Sequence, residues 1–160
     1  MSTCIFPGKF QPFHTGHLLV VKGMMQACSQ TVVVICHDPD DAGMDDIMTN
    51  EQVREAISAA LLAEDIVDAN IAVVSDCKGD DEWVDKILEA AGNPEDAAVW
   101  SGNDHVLGIF ESHNIETKKI THVPGIDGEE IRGMIKEKDG TWRTKVPKGA
   151  LDVVEKAIAE

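Results

Sequence analysis

The chain alternates short apolar runs with longer stretches of helical periodicity. Thr3-Cys4-Ile5-Phe6 opens it as a strand, and 15–28 follows as a helix with Leu18, Val21, Met24, Met25 and Cys28 on one apolar face. Thr31-Val32-Val33-Val34-Ile35-Cys36 is β-branched and apolar throughout, as expected of a strand covered on both faces. Residues 37–48 hold five Asp, one Pro and one Gly and read as a loop. Thr49 with Gln52 three positions on is a capping-box pattern, which starts a helix over 50–62. A strand is expected over 70–75, a helix over 81–91 ended by Gly92-Asn93-Pro94, and a strand over 97–100. The turn Ser101-Gly102-Asn103, a helix to about 113 and a fifth strand over 119–123 follow. The loop 124–128 opens a helix near Glu129, Asp139-Gly140 breaks it, and Pro147 takes the first position of a last helix ending at Glu160. This alternation predicts an α/β fold, a doubly wound parallel five-stranded sheet with helices on both faces and a C-terminal helical segment over about 128–160. Ligands of such sheets bind beyond the carboxyl ends of the strands. The loops 7–17, 37–48, 76–81 and 101–103 converge there, joined by the loop before Glu129.

Composition narrows the class. A chain of 160 residues, 43% hydrophobic and 27% charged, is expected to form one soluble domain over 1–160. No apolar run is long enough to cross a bilayer, and the N-terminus lacks the basic and apolar regions of a secretory signal. A cytoplasmic location follows as the expectation. Cys4, Cys28, Cys36 and Cys77 are scattered without metal-finger spacing and are expected to be reduced thiols. Asp and Glu number 29 against 14 Lys and Arg, a net charge of −15. With no cluster of cations, neither nucleic acid nor a membrane is an expected partner. An anionic ligand would need positive potential supplied locally, from helix ends, a few cations and Mg²⁺.

One stretch carries chemistry. Gly8-Lys9-Phe10-Gln11-Pro12-Phe13-His14-Thr15-Gly16-His17 joins the first strand to the first helix and sets two histidines three positions apart. Free N–H groups and the positive end of the macrodipole make a helix start an anion site. Pro12 stiffens the loop, and Gly16 would let a ligand approach the backbone. A phosphate-handling site built on His14 and His17 is the expectation.

That decapeptide resembles the HxGH signature of the nucleotidyltransferase superfamily, most closely the archaeal-type nicotinamide-nucleotide adenylyltransferases. Asp81-Glu82-Trp83-Val84 resembles the family's tryptophan segment, and Trp100-Ser101-Gly102-Asn103 its aromatic-Ser-Gly-Asn turn. Gly128-Glu129-Glu130-Ile131-Arg132 matches the spacing of its arginine-bearing second motif. Asp139-Gly140-Thr141-Trp142-Arg143 and Val146-Pro147 resemble its C-terminal segment, so the likeness spans essentially the whole chain in order. The resemblance implies a Rossmann-like nucleotidyltransferase domain. It implies an enzyme that moves AMP from ATP to nicotinamide or nicotinate mononucleotide and releases pyrophosphate, with Mg²⁺ accompanying ATP and no metal ligand assigned in the protein. His14 and His17 would bind the ATP phosphates, with His17 stabilising the α-phosphoryl charge in the transition state. Lys9 and Arg132 would hold the β- and γ-phosphates. Gly8, Phe10, Gly16, Gly102 and Asn103 would line the nucleotide site. Trp83, at a polar loop edge, would stack on the pyridine ring with Asp80 beside it. A homo-oligomer is implied as well.

The chain departs from the family pattern at acidic positions. Asp127 and Glu129 stand where Ser and Thr are usual, Asp45 where an Arg is common, and Asp80 where Asn is expected. Carboxylates repel phosphate where hydroxyls would donate to it. Another phosphate acceptor on the same fold (pantetheine phosphate, a phosphoalcohol or a sugar phosphate) and a nucleotide-binding regulator without turnover are therefore alternatives. Trp100 is expected in the core and Trp142 in a packing contact, while His37, His105, His113 and His122 show no ligand spacing among themselves.

Overall fold

A computed structural model describes residues 2–41 and 43–159. Met1, Ala42 and Glu160, expected before the first strand, in the Asp-rich loop and at the last helix end, lie outside them. The elements in order are β1 Ser2–Gly8, α1 Thr15–Ala27, β2 Gln30–Ile35, α2 Asn50–Ala63, β3 Ala69–Val73 and α3 Asp80–Ala90. There follow β4 Asp96–Ser101, α4 Asp104–Ser112, β5 Glu116–Lys119, α5 Gly128–Lys136, a 3-10 segment Gly140–Lys145 and α6 Lys148–Ile158. They form two compact units, each built from separate stretches of chain.

The first unit comprises Met1–Lys9, Val21–Gly43 and Asp68–Thr121 and contains the sheet. All strand pairs are parallel, in the order β3-β2-β1-β4-β5. Ile5 sits opposite Val32 on one side and Val99 on the other. Alternate residues of a strand face opposite sides of its sheet. Ile5, Val32, Val34 and Val99 therefore share one face, where they pack with Trp83, Val84 and Ile87 of α3 and Val106, Ile109 and Phe110 of α4. Burying side chains of this size stabilises a fold by roughly 1.5–3 kcal/mol each before entropy is counted. The opposite face meets α1: a Cβ on Gly23 would lie 3.9 Å from the Trp100 ring. Strand order reverses between β1 and β4, so the turns after these strands open at the sheet's switch point.

Two expectations change here. The fifth strand is Glu116–Lys119, not 119–123, because pairing with β4 sets Trp100 opposite Lys118 and Ser101 opposite Lys119. It is an edge strand, and its exposed face is polar rather than apolar. Cys4 and Cys28 are not free thiols: they form a disulfide between β1 and the end of α1. Cys36 and Cys77 are free.

The second unit comprises Phe10–Val20, Met44–Val67 and His122–Glu160. Here α2 and α6 pack closely. A Cβ on Gly149 would fall 2.5 Å from the Ala59 carbonyl oxygen and 2.7 Å from the Ala63 Cβ. The capping box at Thr49 is formed in both directions: the Thr49 Oγ1 accepts from Gln52 N–H, and Gln52 Oε1 accepts from Thr49 N–H. Pro147 is the N-cap of α6 instead of its first helical residue, and the 3-10 segment after Asp139 adds a turn the breaker residues did not suggest. It buries Trp142, whose ring lies 5.1 Å beneath the Arg143 guanidinium.

Candidate active site

The histidine pair belongs to the second unit, at the start of α1. The rings stack, with centroids 3.4 Å apart and planes 13° apart. Each is tied to the backbone of the other: His14 N–H donates to His17 Nδ1 at 3.0 Å, and His17 N–H donates to His14 Nδ1 at 3.2 Å. A ring nitrogen that accepts cannot carry the proton, so both neutral imidazoles hold it on Nε2. Burial lowers the His14 pKa to about 4, against a smaller opposing pull from Asp127. Burial also lowers that of His17 well below the usual histidine range, helped by His14 and His122. At neutral pH both imidazoles are therefore uncharged, with the proton on Nε2. Uncharged donors at a helix N-terminus suit phosphate oxygens without adding a fixed counter-ion.

The space above Gly16 is taken by protein, not left for a ligand. A Cβ there would lie 3.0 Å from His14 Cε1 and 3.1 Å from its Nδ1. Gly16 makes room for the stacked ring. Phe10, with φ 51°, is buried, and its ring meets His17 edge-on at 4.8 Å. Phe13 lies 5.5 Å from the same ring. These aromatics support the imidazole.

Gln11 was not singled out from the sequence, yet it anchors this loop. It is 2% exposed. Its Nε2 donates to the Met48 carbonyl at 2.9 Å, and its Oε1 accepts from Ile47 N–H at 3.0 Å and Met48 N–H at 2.9 Å. Arg132 Nη1 donates to the Gln11 carbonyl at 3.0 Å, and a Cβ on Gly128 would press within 3.1 Å of that nitrogen. Asp127 caps α5, accepting from Glu129 N–H at 2.9 Å. The carboxylate that looked misplaced in a phosphate motif thus does the capping a serine would do.

In the first unit a cavity of about 160 Å³ opens at the strand ends. Lys9, Asp38, Asp41, Trp83, Ser101 and Asn103 are in its wall. Lys9 pairs with Asp41 at 3.1 Å, and Asp41 also accepts from Gly43 N–H at 2.7 Å. Asn103 caps α4 through Oδ1, accepting from His105 and Val106 N–H. Trp83 does not stand at a polar loop edge. It lies in the first turn of α3, 1% exposed, with its ring 5.3 Å from that of Phe110. Its Nε1 meets no partner in hydrogen-bond geometry among the described residues, though it lies close enough to Cys36 to favour the thiolate weakly. Burial prevails there and pushes the thiol up to about 12. Gly8 ends β1 in the same wall, Gly102 sits half-buried in the turn after β4, and Asp80 is exposed at the start of α3.

His105, with no histidine partner in the sequence, comes together with Asp38 and Asp40, their ligand-type atoms within 4.8 Å. Asp40 and His105 already pair at 3.0 Å, and imidazole is a poor donor for a hard cation such as Mg²⁺. The set therefore fits Mg²⁺ badly. No helix among the described residues is long and apolar enough to cross a membrane.

A five-stranded parallel sheet whose order reverses beside β1, with helices on its faces, defines a Rossmann-like α/β protein. The cytidylyltransferase-like family model matches residues 5–138, and the chain belongs to that family of nucleotidyltransferases. It is similar to the nicotinamide-nucleotide adenylyltransferase of Ignicoccus hospitalis, 28% identical over 94% of this chain and 90% of that one. It is also similar to that of Haloarcula marismortui, 26% identical over 92% and 78%. Among solved structures, a bifunctional NMN adenylyltransferase/ADP ribose pyrophosphatase from Francisella tularensis, complexed with AMP and a Mn ion, superposes with a TM-score of 0.74. Identity is 18%, over 99% of this chain and 52% of that one. NadR in complex with NAD and AMP-PNP gives 0.64 at 16% identity, over 92% and 46%. The chain spans about half the length of these two structures, which share its fold.

Proposed function

We propose that the protein is an adenylyltransferase acting on nicotinamide mononucleotide, read as a single catalytic domain over 1–160. An oxygen of the acceptor phosphate attacks the α-phosphorus of ATP, the bond to the β-phosphate oxygen breaks, and pyrophosphate leaves with that electron pair. The observation that carries the reading is the reciprocal lock of His14 and His17, which fixes both imidazoles at a helix start with Nδ1 as acceptor. Reactions of this type need positioning and charge stabilisation more than covalent chemistry. His14 and His17 hold α-phosphate oxygens, and the His17 donor strengthens as charge develops there. Arg132 and Lys9 take the β- and γ-phosphates, Lys9 exchanging Asp41 for phosphate. The cavity with Trp83, Ser101 and Asn103 receives a nucleoside. Mg²⁺ enters with ATP as part of the substrate. The named activity of the Ignicoccus and Haloarcula relatives supports this acceptor.

Incubation with ATP, Mg²⁺ and nicotinamide mononucleotide should yield the dinucleotide and pyrophosphate in equal amounts. Replacing His17 by Ala should lower kcat about 100-fold or more while ATP affinity changes by only a few-fold, as for loss of one transition-state donor. No dinucleotide from the wild-type protein, or equal losses of kcat and affinity, would overturn the reading.

A further inference from the structure

A second anchor reaches the histidine pair from the C-terminal segment. Val123, Pro124, Gly125 and Ile126 form a turn, closed by Ile126 N–H donating to the Val123 carbonyl at 3.1 Å. Gly125 takes φ 79°, the left-handed backbone that the third position of a type II turn requires after a proline. Ile126 ends the turn and Asp127 caps α5 directly after it, so the backbone of Ile126 is fixed from both sides. Its side chain faces the start of α1. The Ile126 Cγ2 would lie 3.4 Å from a Cβ built on Gly16, and His14 Cε1 lies 3.0 Å from the same point. The isoleucine methyl and the His14 ring thus share one niche above Gly16.

Lys145 holds this turn down. Its Nζ donates to the Gly125 carbonyl, and the Glu130 carboxylate lies 3.7 Å away. A hydrogen bond from an ammonium is charge-assisted and stronger than a neutral one. The lysine stands on a fixed base. It ends the 3-10 segment beside buried Trp142 and Val146, and Asp139 caps that segment by accepting from Thr141 N–H at 3.0 Å. Resting on the catalytic reading above, we propose that Lys145 is a positioning residue for the histidine pair, which keeps Ile126 seated beside the His14 ring through the Gly125 carbonyl. The His14 ring accepts from His17 N–H and stacks on the His17 ring. A turn that lifts gives the His14 ring room to swing, and the bond and the stack that aim both imidazoles loosen together. Lys145 acts through Ile126 and touches no phosphate itself.

Lys145→Met keeps the apolar stem and removes the donor. It should lower kcat about tenfold while KM for ATP moves by less than about twofold, because a misplaced group costs rate more than binding. Ile126→Ala should give a similar loss, and the double variant should fall no more than about twofold below either single one, since both act on one contact. Lys145→Arg, which keeps a cationic donor, should restore kcat to within about threefold of the wild type. Lys148→Met, at an exposed lysine that opens α6, removes the same charge and should leave kcat unchanged. In the ligand-free protein a nuclear Overhauser contact between the Ile126 methyls and the Gly16 α-protons should appear in the wild type and in Lys148→Met, and be lost in Lys145→Met. Losses that multiply in the double variant, a loss carried by KM for ATP, or an Ile126–Gly16 contact that persists in Lys145→Met would overturn the proposal. A wild type without turnover would overturn the enzymatic reading, and loss of the contact in Lys145→Met would still support the hold of Lys145 on the turn.

Discussion

Replacing Gly16 by Ala separates stability from activity. The new methyl would lie 3.0 Å from His14 Cε1 and 3.1 Å from Nδ1. The ring cannot retreat freely, because His17 is stacked on it at 3.4 Å and Phe10 and Phe13 back His17. Overpacking of this kind costs about 1–3 kcal/mol. Alanine in a helix recovers up to about 1 kcal/mol relative to glycine. The net loss is thus about 0–3 kcal/mol, a fall in Tm of no more than roughly 12 °C for a chain of this size. The effect on geometry is larger. A tilt that relieves the contact draws His14 Nδ1 away from the His17 N–H, a bond of 3.2 Å with little slack. A displacement of about 1 Å in a phosphate-orienting group costs on the order of 100-fold in rate. Thermal denaturation followed by pyrophosphate-release kinetics tests both. A folded Gly16→Ala protein with wild-type kcat would refute the account of why this position is glycine.

The His14 pKa of about 4 makes stability depend on pH. Between that value and an unfolded value near 6.5 the unfolded chain binds the extra proton, so stability rises with pH through this window and is flat above it. The span is about 3 kcal/mol, and melts of His14→Gln should show a shallower rise than the wild type between pH 4 and 6.5. Gly149→Ala should lower stability by about 1–3 kcal/mol by forcing α6 off the Ala59 carbonyl, checked by urea denaturation with m unchanged. Gln11→Ala removes three hydrogen bonds, two of them buried, and leaves the Ile47 and Met48 N–H groups without their acceptor. It should cost about 3 kcal/mol, read as a lower Tm, and Gln11→Glu should not restore it because a carboxylate cannot donate to Met48 O.

Local features were legible in the sequence, and long-range ones were not. The Thr49 capping box and the buried β2 run depend on neighbours a few positions away, and both formed as their residues suggested. The fifth strand, Glu116–Lys119, lies before the apolar Ile120 and Val123 that suggest a strand over 119–123. An edge strand draws its place from β4 pairing, which leaves no hydrophobic trace in Thr117-Lys118-Lys119. Trp83 was hidden by the acidic residues before it. Its helical phase with Val84 and Ile87 did carry the signal of burial. The His14-Thr15-Gly16-His17 spacing pointed to phosphate, but the reason for Gly16 lies in a side-chain stack that spacing does not contain. The Cys4–Cys28 disulfide and the Lys9–Asp41 pair join positions 24 and 32 apart, beyond any local pattern.

The crossed hydrogen bonds of His14 and His17 have a genetic corollary. Each imidazole fixes the backbone that aims the other, so removing either ring releases both. Single and double replacements should therefore fall to nearly the same level, with strong epistasis. To mutation and selection the two positions behave as one heritable character, and a drift through an intermediate with one altered histidine gains nothing from the one that remains.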